Sequence, residues 1–384
     1  MKVKIQDIAS LSNGINFGKS AYTSSGIKLI GVSDFKNRMY PDFDSLQKVK
    51  ADVVKEGDYL CKGDIVFVRS NGNKELVGRC MMINQDVPVT FSGFCIKLRL
   101  KDLTSCNPVY FTYLFKSNDF RKAMAGTAVG ANIQNLSQGR LGNYEINLPP
   151  RSIQDSIATT LSRYDNLIAN YQRQIKLLEE AAQRLYKEWF VDLHFPGHEN
   201  VKVIDGVPEG WEKCELGDIA TFKRGKTITK NNIKEGNVPV VAGGLNPAYF
   251  HDTANTKAPV ITVSGSGANA GYTRLYHTDV WASDCSYIDQ STSESIYFVY
   301  CFLKVNKVYL DNLQKGAAQP HVYAKDINQM PILKPSQGIL DAFNNLVKLY
   351  FNTIGNLEHQ ITLLTESRDR FLPKLMSGEI ELKI

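Results

Sequence analysis

No run of eighteen apolar residues occurs in this chain of 384 residues, so it holds no candidate for a membrane-spanning helix. The opening, Met1-Lys-Val-Lys-Ile-Gln-Asp7, lacks the apolar core of a secretory leader. Cysteine is sparse: the seven residues, at 61, 80, 95, 106, 214, 285 and 301, are odd in number and never spaced Cys-x-x-Cys. That pattern argues against a zinc ribbon or a disulfide frame and for reduced thiols in a cytoplasm. No His/Cys/Asp group has metal-ligand spacing, and no Ser-His-Asp set sits in a recognisable elbow. His194 and His198 lie in a Pro/Gly-rich stretch and His359 on a polar helix face, as surface residues do. Neither sign of charge dominates: the net charge is +6, which permits a nucleic-acid partner without demonstrating one. Hydrophobic content of 43% is ordinary for a soluble protein, and the length allows two or three domains, each with its own core.

Three catalytic or nucleotide-binding motifs are present only in part. Gly225-Lys226-Thr227 looks like the end of a phosphate loop, but the pattern needs glycine where Ala220 stands, so the backbone cradle is incomplete. Gly265, Gly267 and Gly271 follow a good strand candidate, as a dinucleotide fingerprint should. The next residues, Tyr272-Thr-Arg-Leu-Tyr276, read as another strand, so a glycine-rich hairpin is expected and no helix N-terminus is left for a phosphate. Asn246-Pro-Ala-Tyr249 is similar to the Asn-Pro-Pro-Tyr with which amino-methyltransferases hold a flipped adenine. Its second proline is missing and no AdoMet-binding strand–Gly–helix unit accompanies it.

What the chain does contain is one helix written twice. From Arg151 onward the apolar seam reads Ile157, Leu161, Tyr164, Ile168, Tyr171, Ile175, Leu178, Ala182, Leu185, Trp189, in steps of four and three. An offset of 186 gives Phe343, Val347, Tyr350, Ile354, Leu357, Ile361, Leu364, Arg368, Phe371, Leu375, broken only at Arg368. A 4-3 alternation held this long is the pattern of helices that pack as a coiled coil, and each copy can bury the other's seam. The repeat extends further: at an offset of 211, Asp7-Ile8-Ala9 falls on Asp218-Ile219-Ala220, Gly14 on Gly225 and Lys19 on Lys230. A repeat of this length is a duplicated domain and not a short solenoid unit.

The expected organisation is therefore variable domain (residues 1–149), long helix (150–193), linker (194–210), variable domain (211–334), then long helix with a C-terminal tail (335–384). Pro149-Pro150 closes the first domain, with Ser152 as helix N-cap, and Pro373 is expected to kink or end the second helix. Strands are expected at 27–33, 64–69, 77–83 and 94–100, then at 239–242, 258–264, 271–276 and 280–283; helices are expected at 108–120 and 295–304. The fold class is α+β, with two mixed α/β domains and two long helices paired as an antiparallel coiled coil in a pseudo-twofold repeat. An entire domain between the helices allows either direction. A helix of 40 residues is about 60 Å long.

Candidate binding residues lie in polar, basic, Gly-rich loops at matching places in the two halves. In the first these are Lys19, Tyr22, Lys36, Asn37, Arg38, Arg69, Ser70, Asn71, Asn73, Lys74, Asn132 and Gln134. In the second they are Lys223, Arg224, Lys226, Lys230, Gly243, Gly244, Asn246, Ser264, Ser266, Asn269, Tyr272, Arg274, Gln319 and His321. Such side chains read base edges and grip phosphates, and glycines let the backbone approach closely.

The doubled order of variable domain and helix, with Ile146-Asn-Leu-Pro-Pro150 and Ile332-Leu-Lys-Pro335 feeding the helices, resembles the specificity subunit of type I restriction–modification systems. Gln154, the seam through Gln174-Ile175-x-Leu177-Leu178 with its copy at Gln360-Ile361-x-Leu363-Leu364, and Phe371-x-Pro-Lys-Leu-Met-Ser-Gly378 carry the likeness along the chain. Asp64-Ile-Val-Phe-Val-Arg69 and Trp281-Ala-Ser283-Asp284 are similar to strand and loop blocks of those target-recognition domains. The resemblance implies a non-catalytic DNA-binding subunit of a cytoplasmic defence system, each domain reading half of a bipartite, asymmetric site. The helices would act as spacer and as docking surface for two methyltransferase subunits, joined by restriction subunits. The chain itself would bind no metal or cofactor; AdoMet, ATP and Mg would belong to the partners. Two alternatives stand beside this: a catalytic DNA adenine methyltransferase using Asn246–Tyr249, and a coiled-coil scaffold that binds no DNA.

Overall fold

The computed structural model describes residues 2–36, 38–73, 76–124, 134–316 and 319–382. They form two compact units, Met1–Ala169 with Thr362–Ile384, and Asn170–Ile361.

In the first unit the run Ile65–Val68 is apolar on every residue and lies centrally in an antiparallel sheet, in the order Ala9–Asn13, Cys95–Leu100, Ile65–Val68, Cys80–Met82. Alternation places Ile65, Phe67, Ile96 and Leu98 on one face with Phe111 and Phe115 of a helix, and Val66, Val68 and Cys95 on the other with Ile30 and Phe91. The second sheet orders Tyr22–Thr23, Gln47–Val49, Ile27–Ile30 and Val89–Phe91, the last pair being parallel. The helix Pro108–Lys116 has proline in its first turn, and Asn107 caps it by accepting from the Val109 N–H at 2.8 Å. One helix was expected across 108–120; Ser117 turns extended instead, and a second helix begins at Asn118.

The second unit repeats this plan. Its antiparallel sheet orders Lys223–Arg224, Cys285–Asp289, Val260–Ser264 and Thr273–Tyr276, and Val238–Val241 pairs parallel with Trp281–Ala282. In each unit a short N-terminal strand pairs with the strand that leads to a long helix: Lys2–Lys4 with Glu145–Asn147, and Glu212–Glu215 with Pro331–Lys334. The repeated aspartate has the same role in both copies, since Asp7 accepts from the Lys4 N–H at 3.1 Å and Asp218 from the Glu215 N–H at 3.0 Å. Gly265 to Gly271 forms the expected hairpin turn, with no helix longer than the 3-10 turn Gly267–Asn269. Residues 194–210 are more than a tether: Val203–Ile204 and Val207–Pro208 pair across Asp205-Gly206, both at positive φ, and Phe195 packs on Trp211.

The long helices span Arg151–Phe190 and Gln337–Ser377. The first starts one residue before Ser152; fully buried Gln154 fastens it, donating to Ser105 O and Pro149 O at 2.9 Å each. The second carries through Pro373, four residues from its end, where a lost ladder bond costs little. In the first unit Asp165 pairs with Arg368, and Tyr164 meets Phe371, while Ile157 and Leu161 share a core with Leu375. In the second, Tyr186, Trp189 and Phe190 ring Phe343, and Ile175 and Leu178 pack on the core that holds Val347, Phe351 and Ile354. Within each unit the two helical segments therefore run antiparallel. Of the seam, Ile157, Leu161, Ile168, Phe343, Val347 and Ile354 are buried, and Ile175, Leu178, Leu185, Ile361 and Leu364 are half-buried. Phe371 departs from the pattern at 40% exposed, and Tyr186, outside the seam as read, is buried where Leu185 is only partly covered. Trp189 and Leu375, the next seam positions, are buried again, so both departures are local.

Candidate nucleic-acid interface

Two glycines at equivalent places shape the loop face of each unit. Gly14 donates to Cys95 O at 3.3 Å and Ile15 to Phe91 O at 2.9 Å; Gly225 donates to Cys285 O at 2.8 Å and Lys226 to Ala282 O at 2.9 Å. A Cβ on Gly14 would sit 2.3 Å from Phe91 O, and one on Gly225 2.3 Å from Ser283 O. Only glycine lets these strands approach so closely.

Beside each glycine lies an open hollow. In the second unit a cleft of about 230 Å³ is lined by Arg224, Ser266, Asp284, Gln319, His321 and Tyr323. Four of the residues picked from sequence (Arg224, Ser266, Gln319, His321) thus come together from segments far apart in the chain. Ser266 bridges to His321, and its hydroxyl donates to Asp284 Oδ2 at 2.5 Å. Lys226 stands over the Trp281 ring, whose indole N–H donates to Lys226 O at 2.8 Å. Arg274 covers Tyr276 at 4.7 Å and reaches Leu245 O. Lys223, Lys230, Gly244, Asn246 and Tyr272 are exposed, and Asn269 is half-buried in its turn. Ser264 belongs to the interior: it is 3% exposed and donates to Gly243 O at 3.0 Å, so it supports the turn and has no free surface. Asn246 and Tyr249 are exposed and line no part of this cleft.

In the first unit a hollow of about 410 Å³ gathers Asn16, Phe17, Lys19, Tyr22, Asp34, Gln47, Gly93 and Phe94. Phe17 meets Tyr22 edge-on at 5.3 Å, and burial raises the Asp34 carboxyl against the lowering effects of the Gly31 N–H and Lys36. Arg69 donates to Gly93 O at 3.3 Å, and Ser70-Asn71 pairs with Gln134-Asn135. Asn71 Oδ1 accepts from the Asn73 N–H at 2.7 Å. Lys36 and Arg38 are exposed outside the hollow, Arg38 paired with Asp42 at 3.1 Å. Asn37, Lys74 and Asn132 lie outside the described residues, as does the side chain of Gln134.

Phe94 and Asp284 are not among the binding residues expected from the sequence, although Asp284 ends the Trp281–Asp284 block that carries the family likeness. The signal they share is position, each immediately before a repeated cysteine. Burial pushes the thiols of Cys95 and Cys285 up to about 12, which makes them core residues and not nucleophiles. Among the described residues no His/Cys/Asp/Glu group has the geometry of a metal site, and no helix is long and apolar enough to cross a membrane.

Residues 1–180 and 208–362 match the family described as the type I restriction modification DNA specificity domain. The chain belongs to this family. It is similar to the type I restriction enzyme MjaIX specificity subunit of Methanocaldococcus jannaschii, 29% identical over 299 residues, which cover 71% of this chain and 69% of that protein. The putative MjaX specificity subunit of the same organism is 26% identical over 343 residues, covering 84% and 80%. The crystal structure of a type I S subunit from M. genitalium shares the fold, with a TM-score of 0.59 and 19% identity over 100% of this chain and 96% of that one. As a type I specificity subunit the chain has its role in DNA recognition and is the non-catalytic component, which removes the methyltransferase alternative built on Asn246–Tyr249.

Proposed function

We propose that each unit reads one half of a bipartite, asymmetric DNA site, and that the paired helices set the spacing and dock two methyltransferase subunits. Restriction subunits complete the assembly, and AdoMet, ATP and Mg act on those partners. The observation that supports this is one backbone plan built twice with unlike side chains at an equivalent turn position: exposed Phe94 in the first unit stands where Asp284 stands in the second. Two like frames with unlike side chains suit two unlike half-sites. Phosphate contacts release counterions, so affinity falls steeply with salt. Replacing Lys223, Arg224 and Lys226 together by Ala should weaken binding and flatten the log K against log salt slope by about one unit for each phosphate no longer gripped. An unchanged slope would remove this loop from the interface.

A further inference from the structure

Phe94 and Asp284 occupy one backbone position in the duplicated fold. The carbonyl of Phe94 accepts from the Arg69 N–H at 2.7 Å, and that of Asp284 from the Gly265 N–H at 3.3 Å. One residue on, Cys95 O and Cys285 O accept from the equivalent glycines 14 and 225. The carbonyls of Arg69 and Gly265 then take the Leu136 and Val322 N–H groups at 2.8 and 3.1 Å. Three main-chain bonds of the two frames therefore coincide, while the side chains they present are chemical opposites.

Phe94 is 62% exposed on the rim of the hollow that contains Phe17 and Tyr22, so the turn holds an aromatic ring out in water. Asp284 lines the other cleft with its side chain 42% exposed, Oδ2 fixed by the Ser266 hydroxyl and Oδ1 4.0 Å from Arg224. A carboxylate is a poor neighbour for a polyanion, and repulsion from phosphates is offset only where it accepts a hydrogen bond from a base. In the major groove the donors are the exocyclic amino groups of cytosine and adenine, and the apolar feature is the thymine methyl. We infer that this turn position is a specificity determinant in both units, Asp284 selecting an amino-bearing base in one half-site and Phe94 a thymine methyl in the other. The inference rests on the proposed two-half reading and names the residue that makes the halves differ.

The test uses the complete specificity subunit assembled with its methyltransferase subunits and selects binding sites from randomised duplexes. Asp284→Ala should relax preference at one position of one half-site, and Phe94→Ala at one position of the other, each on the order of ten- to a hundredfold. At the position that Phe94→Ala affects, uracil in place of thymine should weaken the unsubstituted complex and leave the Phe94→Ala complex unchanged. Asp284→Asn, which keeps the side chain's shape, guards against a distorted turn and should alter the same position as Asp284→Ala. Variants that retain the parental preference at every position overturn the inference, as does a uniform loss of affinity with unchanged preference, which would mark a phosphate contact. If the unsubstituted complex enriches no two-part sequence, the functional reading itself fails.

Discussion

Arg368 is the residue at which the duplicated seam stops being apolar, and it offers a stability test in which the protein supplies its own control. Its guanidinium pairs with Asp165, their side chains 17% and 16% exposed, and Asp165 also accepts from the Tyr113 hydroxyl. At the equivalent places, 186 residues away in each direction, stand Ala182 and Phe351, 0% and 1% exposed in the core of the second unit. One site thus has two solutions, ionic in the first unit and apolar in the second. Arg368→Ala leaves a mostly buried carboxylate with the Tyr113 hydroxyl as donor and the Lys116 ammonium lining the same cleft, so the loss falls at the lower end of the about 3–5 kcal/mol of a broken buried pair. Water in that cleft of about 340 Å³ screens the charge further. A loss of about 3 kcal/mol lowers the melting temperature of a unit this size by about 6–12 °C. Asp165→Phe alone leaves Arg368 with Asp369 at 2.8 Å, a partner that is 58% exposed, and should cost less. The double substitution Asp165→Phe with Arg368→Ala imports the second unit's apolar pair and orphans only the Tyr113 hydroxyl, at about 1–3 kcal/mol. A double-mutant cycle followed by calorimetry on the full chain should therefore show strong coupling, the double variant melting above Arg368→Ala. Additive losses, or an Arg368→Ala protein within a degree of the parent, would refute the reasoning.

Gly225→Ala places a methyl 2.3 Å from Ser283 O and 2.6 Å from Ala282 O, main-chain atoms that cannot swing aside. We expect a loss of about 1–3 kcal/mol and weakened DNA binding, because the displaced turn carries Asp284; Gly57→Ala, with nothing within 4 Å, serves as the silent control. Equal melting and affinity for the two variants would dismiss the close approach as a constraint. Burial lowers the His277 imidazole to about 4 from its ordinary 6.5, so it stays neutral when folded and takes up a proton when unfolded. The unfolded chain then binds more protons, and stability falls as pH drops from about 6.5 towards 4, by up to about 3 kcal/mol. His277→Leu should flatten the pH dependence of melting across that window; a parallel decline in both proteins would place the cause elsewhere.

The doubling was legible because its markers serve local backbone needs that tolerate few alternatives. Asp7 and Asp218 close the same turn, and Gly14 and Gly225 donate to the equivalent carbonyls of Cys95 and Cys285, so matching letters meant matching structure. The long helices were legible from period alone. Short strands such as Lys2–Lys4 were not, since three residues acquire strand geometry only by pairing with Glu145–Asn147, more than a hundred positions away. Cys285–Asp289 lies centrally in its sheet yet is not among the expected strands, because it mixes Ser286 and Asp289 with apolar residues. Both polar residues are buried, and Asp289 is satisfied by the N–H groups of Lys257 and Ser291, partners that periodicity does not reveal. Ser264 is expected from the sequence among the donors of a Gly-rich loop, although the strand it ends is buried throughout.

The same contrast says how a duplicated scaffold can diverge in what it reads. Along the central strand Ile65–Val68 every side chain lands in one of two packed cores, so an exchange there alters volume and costs stability. In the turns the structural work is done by main-chain atoms: Phe94 and Asp284 contribute carbonyls to the frame, and a carbonyl is common to all residues. A turn residue of either chemistry therefore leaves the ladder intact and changes only what faces outward. The glycines beside these turns have the opposite character, with no freedom in side chain, so constraint and variability alternate within a few residues. That arrangement suits the proposed reader of two unlike half-sites, because it lets contacts with bases change while the strands that aim them stay in place.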